Sequence, residues 1–380
     1  MASFTKTKHG WGVRISAKNP RWYKGSDEPR YLRDSKQPFQ TKAEAREWAD
    51  NRKKELENGI SEFTDLSVPD YFEKWFLTFK KGKHSENTDL AYEHAIDKFR
   101  DHLSHVKMNE LTQIIYQTFM NELEAKGLAK NSIINYHKCF AVCLKQALYD
   151  EVIPKDPTFN IKIGGVPPKD EKEKYLEVNE LKQLENFFLN HFEDMFARVL
   201  FVQGRTGLRI GEVLGITHDR IDFKNHTLRV DRQWDHRALK FAPTKNRKNR
   251  TIDLAPSTVR FLKQCIADNR RYELTIGKRG EVGFLFPSRK LHLTRPVSYK
   301  TVRTKLKNYL KETFGEEKEI DIATHAFRHT YGSSLLLAGA DVVYVADQLG
   351  DTVEIVEKTY LHLLEDIRKR NVKILHEQHG

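Results

Sequence analysis

Three segments in the second half of the chain carry side chains that could act on a phosphate. Arg209 follows a Thr-Gly-Leu turn at the predicted opening of a helix, where the helix dipole favours anions beside its guanidinium. His325 and Arg328 are three residues apart, so a helix would place them on one face. Tyr360 follows a predicted helix and offers a hydroxyl that can become a nucleophile. Together these segments supply residue types that can bind a phosphate group.

Each signal alone has a plainer explanation. Arginines at helix starts are usually solvated, and a lone tyrosine most often packs. His325 and His329 have the i, i+4 spacing of a zinc pair, but Ala326 stands where the metalloprotease motif has its glutamate. We therefore expect no metal. The chain also contains no Walker-type GxxxxGK[ST] segment, and we expect no other cofactor.

A polar turn supplies a further candidate. The run from Pro243 to Arg250 separates two strand-like segments, HTLRVDRQW and RTIDL, so Lys245 would lie in a hairpin turn and could extend into a cleft. A solubilising turn is the more common use of such residues. Around these strands the helical periodicity of residues 176–349 predicts a mainly helical region with one small sheet.

The first half of the chain divides into two patterns. Alternating residues near Gly10 to Ile15 predict a three-stranded sheet, and Thr41 with Glu44 predicts the start of a helix. Residues 65–160 show helical periodicity, with Asn131 and Ser132 as a start signal. The Pro- and Gly-rich run at 154–174 reads as a linker. The fold class is therefore α+β, with predicted domains at 1–62, 63–164 and 165–380.

Charge favours a polyanionic partner. The 65 Lys and Arg against 53 Asp and Glu give a net charge of +12. Residues 1–60 hold 14 basic and 8 acidic side chains, interleaved with aromatics, so Arg14, Lys24 and Arg30 are candidate DNA contacts; an ordinary solvated surface is the alternative. Three cysteines give no disulfide framework, which suits a cytoplasmic protein. No apolar run predicts secretion or a membrane span.

Taken together, the segments resemble the tyrosine recombinase family of the lambda-integrase type. The family pattern runs from an arginine in a TGLRxxE box to a hairpin lysine, an HxxR helix, a His or Trp after Leu-Gly, and a tyrosine nine residues later. In this sequence these positions are Arg209, Lys245, His325 with Arg328, Asp351 and Tyr360. The resemblance covers residues 170–380. More loosely, 63–164 resembles the family's core-binding domain and 1–62 its arm-type DNA-binding domain.

The resemblance implies a role for each position. Arg209 and Arg328 would stabilise the charge that builds on the phosphate oxygens. Lys245 would protonate the leaving 5′ oxygen, and His325 would contact the phosphate or help to deprotonate Tyr360. The tyrosine hydroxyl has an ordinary pKa near 10, so it needs such help. The resulting phosphotyrosine conserves the bond energy, so neither ATP nor metal is required.

Two acidic residues complete the expected site. Glu212 is interpreted as a buried support for the active-site arginines or histidine. Asp351 departs from the family, because an ionised carboxylate cannot donate to a phosphate and repels its oxygens. Its role is left open between a partner of Tyr360 or Arg328, a brake on the reaction, and a loss that His362 partly replaces.

The resemblance implies a site-specific DNA recombinase that integrates and excises a mobile element. Its partners would be double-stranded attachment sites bound by a homo-tetramer, with an excisionase and a host DNA-bending protein as accessory factors, in the cytoplasm of a bacterial host. Two alternatives stay open: a type IB topoisomerase with the same tyrosine chemistry, and a catalytically inactive DNA-binding regulator, which only Asp351 favours.

Overall fold

The computed structural model describes residues 2–19, 27, 29–58, 61–167, 176–244, 249–315, 322–360 and 372. The chain forms two compact units, Met1–Pro168 and Lys169–Gly380. Helices dominate and the strands form small antiparallel sheets, which confirms the α+β class. The three-domain division with boundaries after residues 62 and 164 stays a prediction. In the described part of the chain no helix is long and apolar enough to cross a membrane.

The first unit begins with the predicted three-stranded sheet. Its strands are β1 (Ala2–Thr7), β2 (Gly10–Lys18) and β3 (Tyr31–Phe39), with β2 in the middle. The buried face of β2 packs on helix α1 (Lys42–Asn58). The Thr41 hydroxyl accepts a hydrogen bond from the Glu44 amide at 3.2 Å, so the predicted helix start is confirmed.

Four long helices follow and enclose an aromatic core. After a single turn, α2 (Ser61–Thr64), they are α3 (Val68–Phe79), α4 (Glu86–Leu103), α5 (Gln113–Ala125) and α6 (Lys130–Tyr149). Phenylalanine rings from four of these helices are fully buried against one another: Phe72, Phe99, Phe119 and Phe140. Burial of large apolar side chains is the main force that stabilises such a bundle.

Two predictions in this unit are wrong. Helix α6 starts one residue before Asn131, and the N-cap position is Ala129, which has no capping side chain. Backbone pairing sets this start instead, because the Lys130 amide donates to the Val166 carbonyl at 2.8 Å.

That pairing also overturns the linker prediction for residues 154–167. These residues are attached to the bundle: the Gln113 side chain donates to the Phe159 carbonyl at 2.7 Å, and Ile161 and Ile163 pack against the aromatic core. The Pro and Gly content indicated irregular backbone correctly, but irregular backbone can still be packed. The rest of the predicted linker, 168–174, lies outside the described residues.

The second unit is a helical assembly around one large apolar core. Its helices are α7 (Val178–Asn190), α8 (Met195–Thr206), α9 (Ile210–Leu214), α10 (Pro256–Ile276), α11 (Tyr299–Phe314), α12 (His325–Leu337) and α13 (Val342–Leu349), and residues 353–360 are also helical. Helix α8 passes through the middle, and its side chains are buried on nearly every face.

The strands of this unit differ from the prediction of a single sheet. One sheet contains β4 (Ile221–Asp222), β5 (Thr227–Val230) and, later in the chain, β8 (Arg250–Asp253). Between β5 and β8 the chain makes a separate hairpin of β6 (Gln233–Asp235) and β7 (Lys240–Ala242). The run HTLRVDRQW therefore belongs to two sheets, because Trp234 turns away to pack edge-on against Phe241 and Phe284.

Candidate active site

Arg209 is positioned by a tight connection between two helices. Helix α8 ends at Gly207, whose φ of +63° lies in the left-handed region that glycine adopts readily, and Arg209 is the N-cap residue of α9. The Glu212 carboxylate accepts from the Arg209 backbone amide at 3.0 Å and contacts its guanidinium at 3.4 Å. The short helix therefore fixes both ends of Arg209.

Arg328 reaches the same place from helix α12. Its side chain is almost completely buried, and its Nη1 donates to the Gly207 carbonyl at 3.0 Å. Burial and the nearby charge of Arg209 lower the pKa of this guanidinium, although arginine stays protonated in proteins. Two like charges are thus held close together, which requires a compensating anion.

Asp351 is that anion. Helix α13 ends at Gly350, and the next residue places one carboxylate oxygen 2.5 Å from the Arg209 Nη2 and the other 2.5 Å from the Arg328 Nη2. Burial alone would raise the pKa of the Asp351 carboxyl, but the charges and hydrogen bonds of the two arginines outweigh it and lower the pKa. Asp351 is therefore ionised at neutral pH and contacts both arginines.

A third arginine, which the sequence did not single out, supports the first two. Arg250, at the start of β8, donates to both oxygens of Glu212, at 3.1 and 2.9 Å, and its Nε donates to the Gln348 carbonyl at 3.3 Å. Glu212 has no exposed side-chain surface, and burial would raise its pKa, but Arg250 and Arg209 lower it. Glu212 thus connects Arg250 to Arg209.

The only signal for Arg250 was its place in the basic run between Pro243 and β8. The run from Pro243 to Arg250 contains four basic residues, and nothing in their spacing distinguishes the one that turns inward. The structure shows how closely it packs: a Cβ added to Gly350 would lie 2.6 Å from the Arg250 guanidinium carbon.

Tyr360 lies at the end of the helical residues 353–360, buried against helix α12. Its hydroxyl rests on Gly332, where an added Cβ would be 2.5 Å from the phenol oxygen. Burial, together with the negative charge of Asp351, raises the pKa of Tyr360 to about 12, and Arg328 opposes the shift. The phenol is therefore protonated and needs a base before it can attack.

Helix α12 places His329 near this phenol and His325 beside His329. The ring of His329 is 4.8 Å from that of His325 and 6.2 Å from that of Tyr360, measured between centroids. Burial, followed by the positive charges of His329, Arg328 and Arg209, lowers the pKa of His325 to about 4. His325 is neutral at pH 7, so one ring nitrogen can accept a proton.

The structure thus brings most of the predicted site together. Contacts join Arg209, Arg328, Asp351 and Glu212, and His325 and Tyr360 lie on adjoining elements. Other predicted residues are not part of this cluster. Lys245, Lys24 and His362 lie outside the described residues. Arg14, on strand β2, and Arg30 belong to the first unit, where both are exposed. The functional roles of all these residues stay predictions.

Comparison with known proteins gives two family matches and several relatives. The phage integrase family matches residues 174–366, and the phage integrase SAM-like domain matches residues 67–163. The prophage ps2 probable integrase of Lactococcus lactis is 23% identical in an alignment of 367 residues that covers 91% of this chain and 91% of its own. The transposase from transposon Tn916 of Enterococcus faecalis is also 23% identical, over 68% of this chain and 65% of its own.

Solved structures show the same fold at low sequence identity. The integrase of transposon Tn1549, in complex with transposon right end DNA, has a TM-score of 0.67 at 18% identity and covers 82% of this chain and 100% of its own. A lambda integrase tetramer bound to a Holliday junction has a TM-score of 0.60 at 13% identity, over 92% and 95% of the two chains.

Proposed function

This chain belongs to the phage integrase family of tyrosine recombinases, and we propose that it cuts and rejoins DNA at a phosphate bound by Arg209 and Arg328. Its function is site-specific recombination, in which a mobile element is integrated and excised. One observation supports the assignment of the site. The guanidinium groups of Arg209 and Arg328 come from separate helices and both contact the carboxylate of Asp351. This contact lies beside the helix that bears Tyr360.

The reaction follows from this arrangement. The Tyr360 oxygen attacks the phosphorus, a 3′-phosphotyrosine bond forms and the bond from phosphorus to the 5′ oxygen breaks. Arg209 and Arg328 stabilise the extra negative charge, and His325 contacts the phosphate or assists the deprotonation of Tyr360. Lys245 gives a proton to the leaving 5′ oxygen. Because the covalent bond retains the energy of the phosphodiester, the reverse attack reseals the strand without ATP or metal.

Glu212 and Arg250 act on the phosphate only through Arg209. The carboxylate of Glu212 holds the Arg209 side chain, and Arg250 keeps that carboxylate ionised and fixed by two hydrogen bonds. A preoriented arginine stabilises the transition state more strongly than a free one, because it needs no reorganisation during the reaction. We assign both as positioning residues.

The partner is double-stranded DNA carrying the element's attachment sites. A lambda integrase of the same fold is a tetramer on a Holliday junction, and we propose a homo-tetramer here as well. The positive net charge supports association with DNA. An excisionase and a host DNA-bending protein are proposed accessory partners, and the bacterial cytoplasm is the proposed location.

A nicked suicide DNA substrate tests the reaction. When the cut releases a short strand that diffuses away, resealing is blocked and the protein stays attached to DNA. We expect a denaturation-resistant adduct with the wild-type chain and none with Tyr360→Phe. An adduct that persists in Tyr360→Phe would reject the nucleophile, and a folded wild-type chain that binds DNA but forms no adduct would be an inactive DNA-binding regulator.

A further inference from the structure

The strongest unexplained feature of the site is the position of Asp351. Its two oxygens each accept from a different arginine, at equal distances of 2.5 Å. A phosphodiester bound by the same pair would present its two non-bridging oxygens to the same two Nη2 atoms. The carboxylate therefore lies in the place that the proposed reaction requires for the phosphate.

We propose that Asp351 is an internal substitute for the DNA phosphate: it occupies the position between Arg209 and Arg328 in the free protein, and DNA must displace it. This inference rests on the proposed function. On this proposal Asp351 is neither a partner of Tyr360 nor a defect in the site. Its carboxylate and the DNA phosphate compete for the same two arginine side chains.

Both anions cannot occupy the position together. The Nη2 atom of each arginine already donates to one Asp351 oxygen, and a phosphate at the same place would be next to a carboxylate of like charge. Asp351 is ionised at neutral pH, so protonation does not relieve the conflict. The carboxylate has to move away when the phosphate arrives.

Arg209 and Arg328 keep other hydrogen bonds when Asp351 moves away. Arg328 keeps its hydrogen bond to the Gly207 carbonyl at 3.0 Å, and Arg209 keeps Glu212, which is fully buried and held in turn by Arg250. Neither anchor includes Asp351. The position is therefore preformed without its present occupant.

Asp351 also has the freedom to leave. It directly follows Gly350, the left-handed cap of α13, and lies in the short connection before the helical residues 353–360. Its side chain keeps 15% of its surface exposed, whereas Glu212 keeps none. Rotation about the side-chain bonds of Asp351 can swing the carboxylate outward while the Asp351 amide keeps its hydrogen bond to the Ala346 carbonyl at 3.1 Å.

Calorimetric titration of the full chain with inorganic phosphate, at constant ionic strength, tests the competition. We expect Asp351→Asn and Asp351→His to bind phosphate at least about tenfold more tightly than the wild type, because the competing anion is gone. The matched control is Asp268→Asn, which also removes a carboxylate that two arginines share, and it should bind phosphate like the wild type. Adding Arg328→Ala to Asp351→Asn should abolish the gain.

Every outcome decides the matter. Equal phosphate affinity in folded Asp351→Asn and the wild type would overturn the proposal, and so would the same gain in Asp268→Asn. If neither Asp351 variant folds, Asp351 is a structural support and the proposal is wrong. These titrations need no DNA cleavage, so they can fail while Tyr360 still forms its adduct, and the adduct can fail while they succeed.

Discussion

Asp268 and Asp351, both in the second unit, each contact two arginines, and they differ in what else holds those arginines. In the Asp268 cluster, Arg198 and Arg289 both contact the same oxygen of Asp268, at 2.7 and 2.6 Å. Each guanidinium also lies over an aromatic ring, at 4.0 Å from Phe192 and 4.5 Å from Tyr272. Arg198 is completely buried.

The Asp351 cluster, formed by Arg209, Arg328 and Asp351, has another design. Each arginine takes a separate oxygen, and the second anchor is Glu212 for Arg209 and the Gly207 carbonyl for Arg328. Arg209 keeps 18% of its side-chain surface exposed. The comparison teaches that the same set of charges can be a permanent part of the core or an anion site whose occupant can be exchanged, depending on access and anchoring.

Removing one arginine from each cluster should give the largest difference. Arg328→Ala should lower the rate of adduct formation on the suicide substrate by about 10³-fold, because one donor to the developing charge is lost. Arg289→Ala removes the matched arginine of the Asp268 cluster and should leave that rate within a factor of about two to three. A comparable loss in both variants would mean that the two clusters are not functionally distinct.

Removal of the carboxylate should lower the stability more in the Asp268 cluster than in the Asp351 cluster. Asp268→Asn leaves the fully buried Arg198 without its counter-ion and should lower the free energy of unfolding by about 3 kcal/mol. Asp351→Asn should cost less in phosphate buffer, where the added anion can take the vacated place. Urea denaturation of both variants in phosphate and in chloride measures this, and an equal, buffer-independent cost would contradict the distinction.

Arg250 should show a smaller effect, confined to the Asp351 cluster. Arg250→Ala should slow adduct formation at saturating DNA about tenfold with little change in DNA affinity, because Glu212 loses its fixed partner. Arg250→Lys keeps the charge and should recover part of the rate. Loss of DNA affinity with an unchanged rate would instead identify Arg250 as a DNA contact.

The last effect concerns the pKa of His325, which is lowered by burial and then by the charges of His329, Arg328 and Arg209. The pKa of His325 is lowered from 6.5 to about 4, so between these values the unfolded chain binds a proton that the folded chain does not. This contribution to stability is complete above pH 6.5 and is lost as the pH falls towards 4. His325→Gln should flatten this dependence by up to about 1.4 kcal/mol per pH unit.

Denaturation midpoints at pH 7, 6, 5 and 4 measure the change. The exposed His105, changed to Gln in the same way, is the control and should leave the slope as it is. Equal slopes in wild type and His325→Gln would show that His325 is not held neutral by its surroundings.

The sequence alone was sufficient to predict the order of the site residues along the chain and most of the helices and strands. Arg209, His325, Arg328 and Tyr360 are in motifs whose local spacing defines a helix start or a helix face, and local spacing survives folding. The helical periodicity of residues 65–160 likewise predicted the region that forms helices α3 to α6.

What escaped the sequence depends on contacts distant along the chain. Asp351 is 142 residues from Arg209, and only the family resemblance placed the two at one site; local spacing did not indicate their direct contact. Arg250 could not be told from the basic residues before it, because only Glu212 distinguishes it. The start of α6 and the β6–β7 hairpin likewise depend on distant partners, Val166 and Phe284, which override local preferences.

Gly350 has a consequence for how this site can vary. Its φ of +68° already disfavours any side chain, and the Arg250 guanidinium fills the space that a methyl group would need. Substitutions at positions 250 and 350 should therefore be energetically coupled. The arginine side chain at position 250 fits only when position 350 is glycine. Gly350→Ala should therefore destabilise the protein less in a chain that already carries Arg250→Ala.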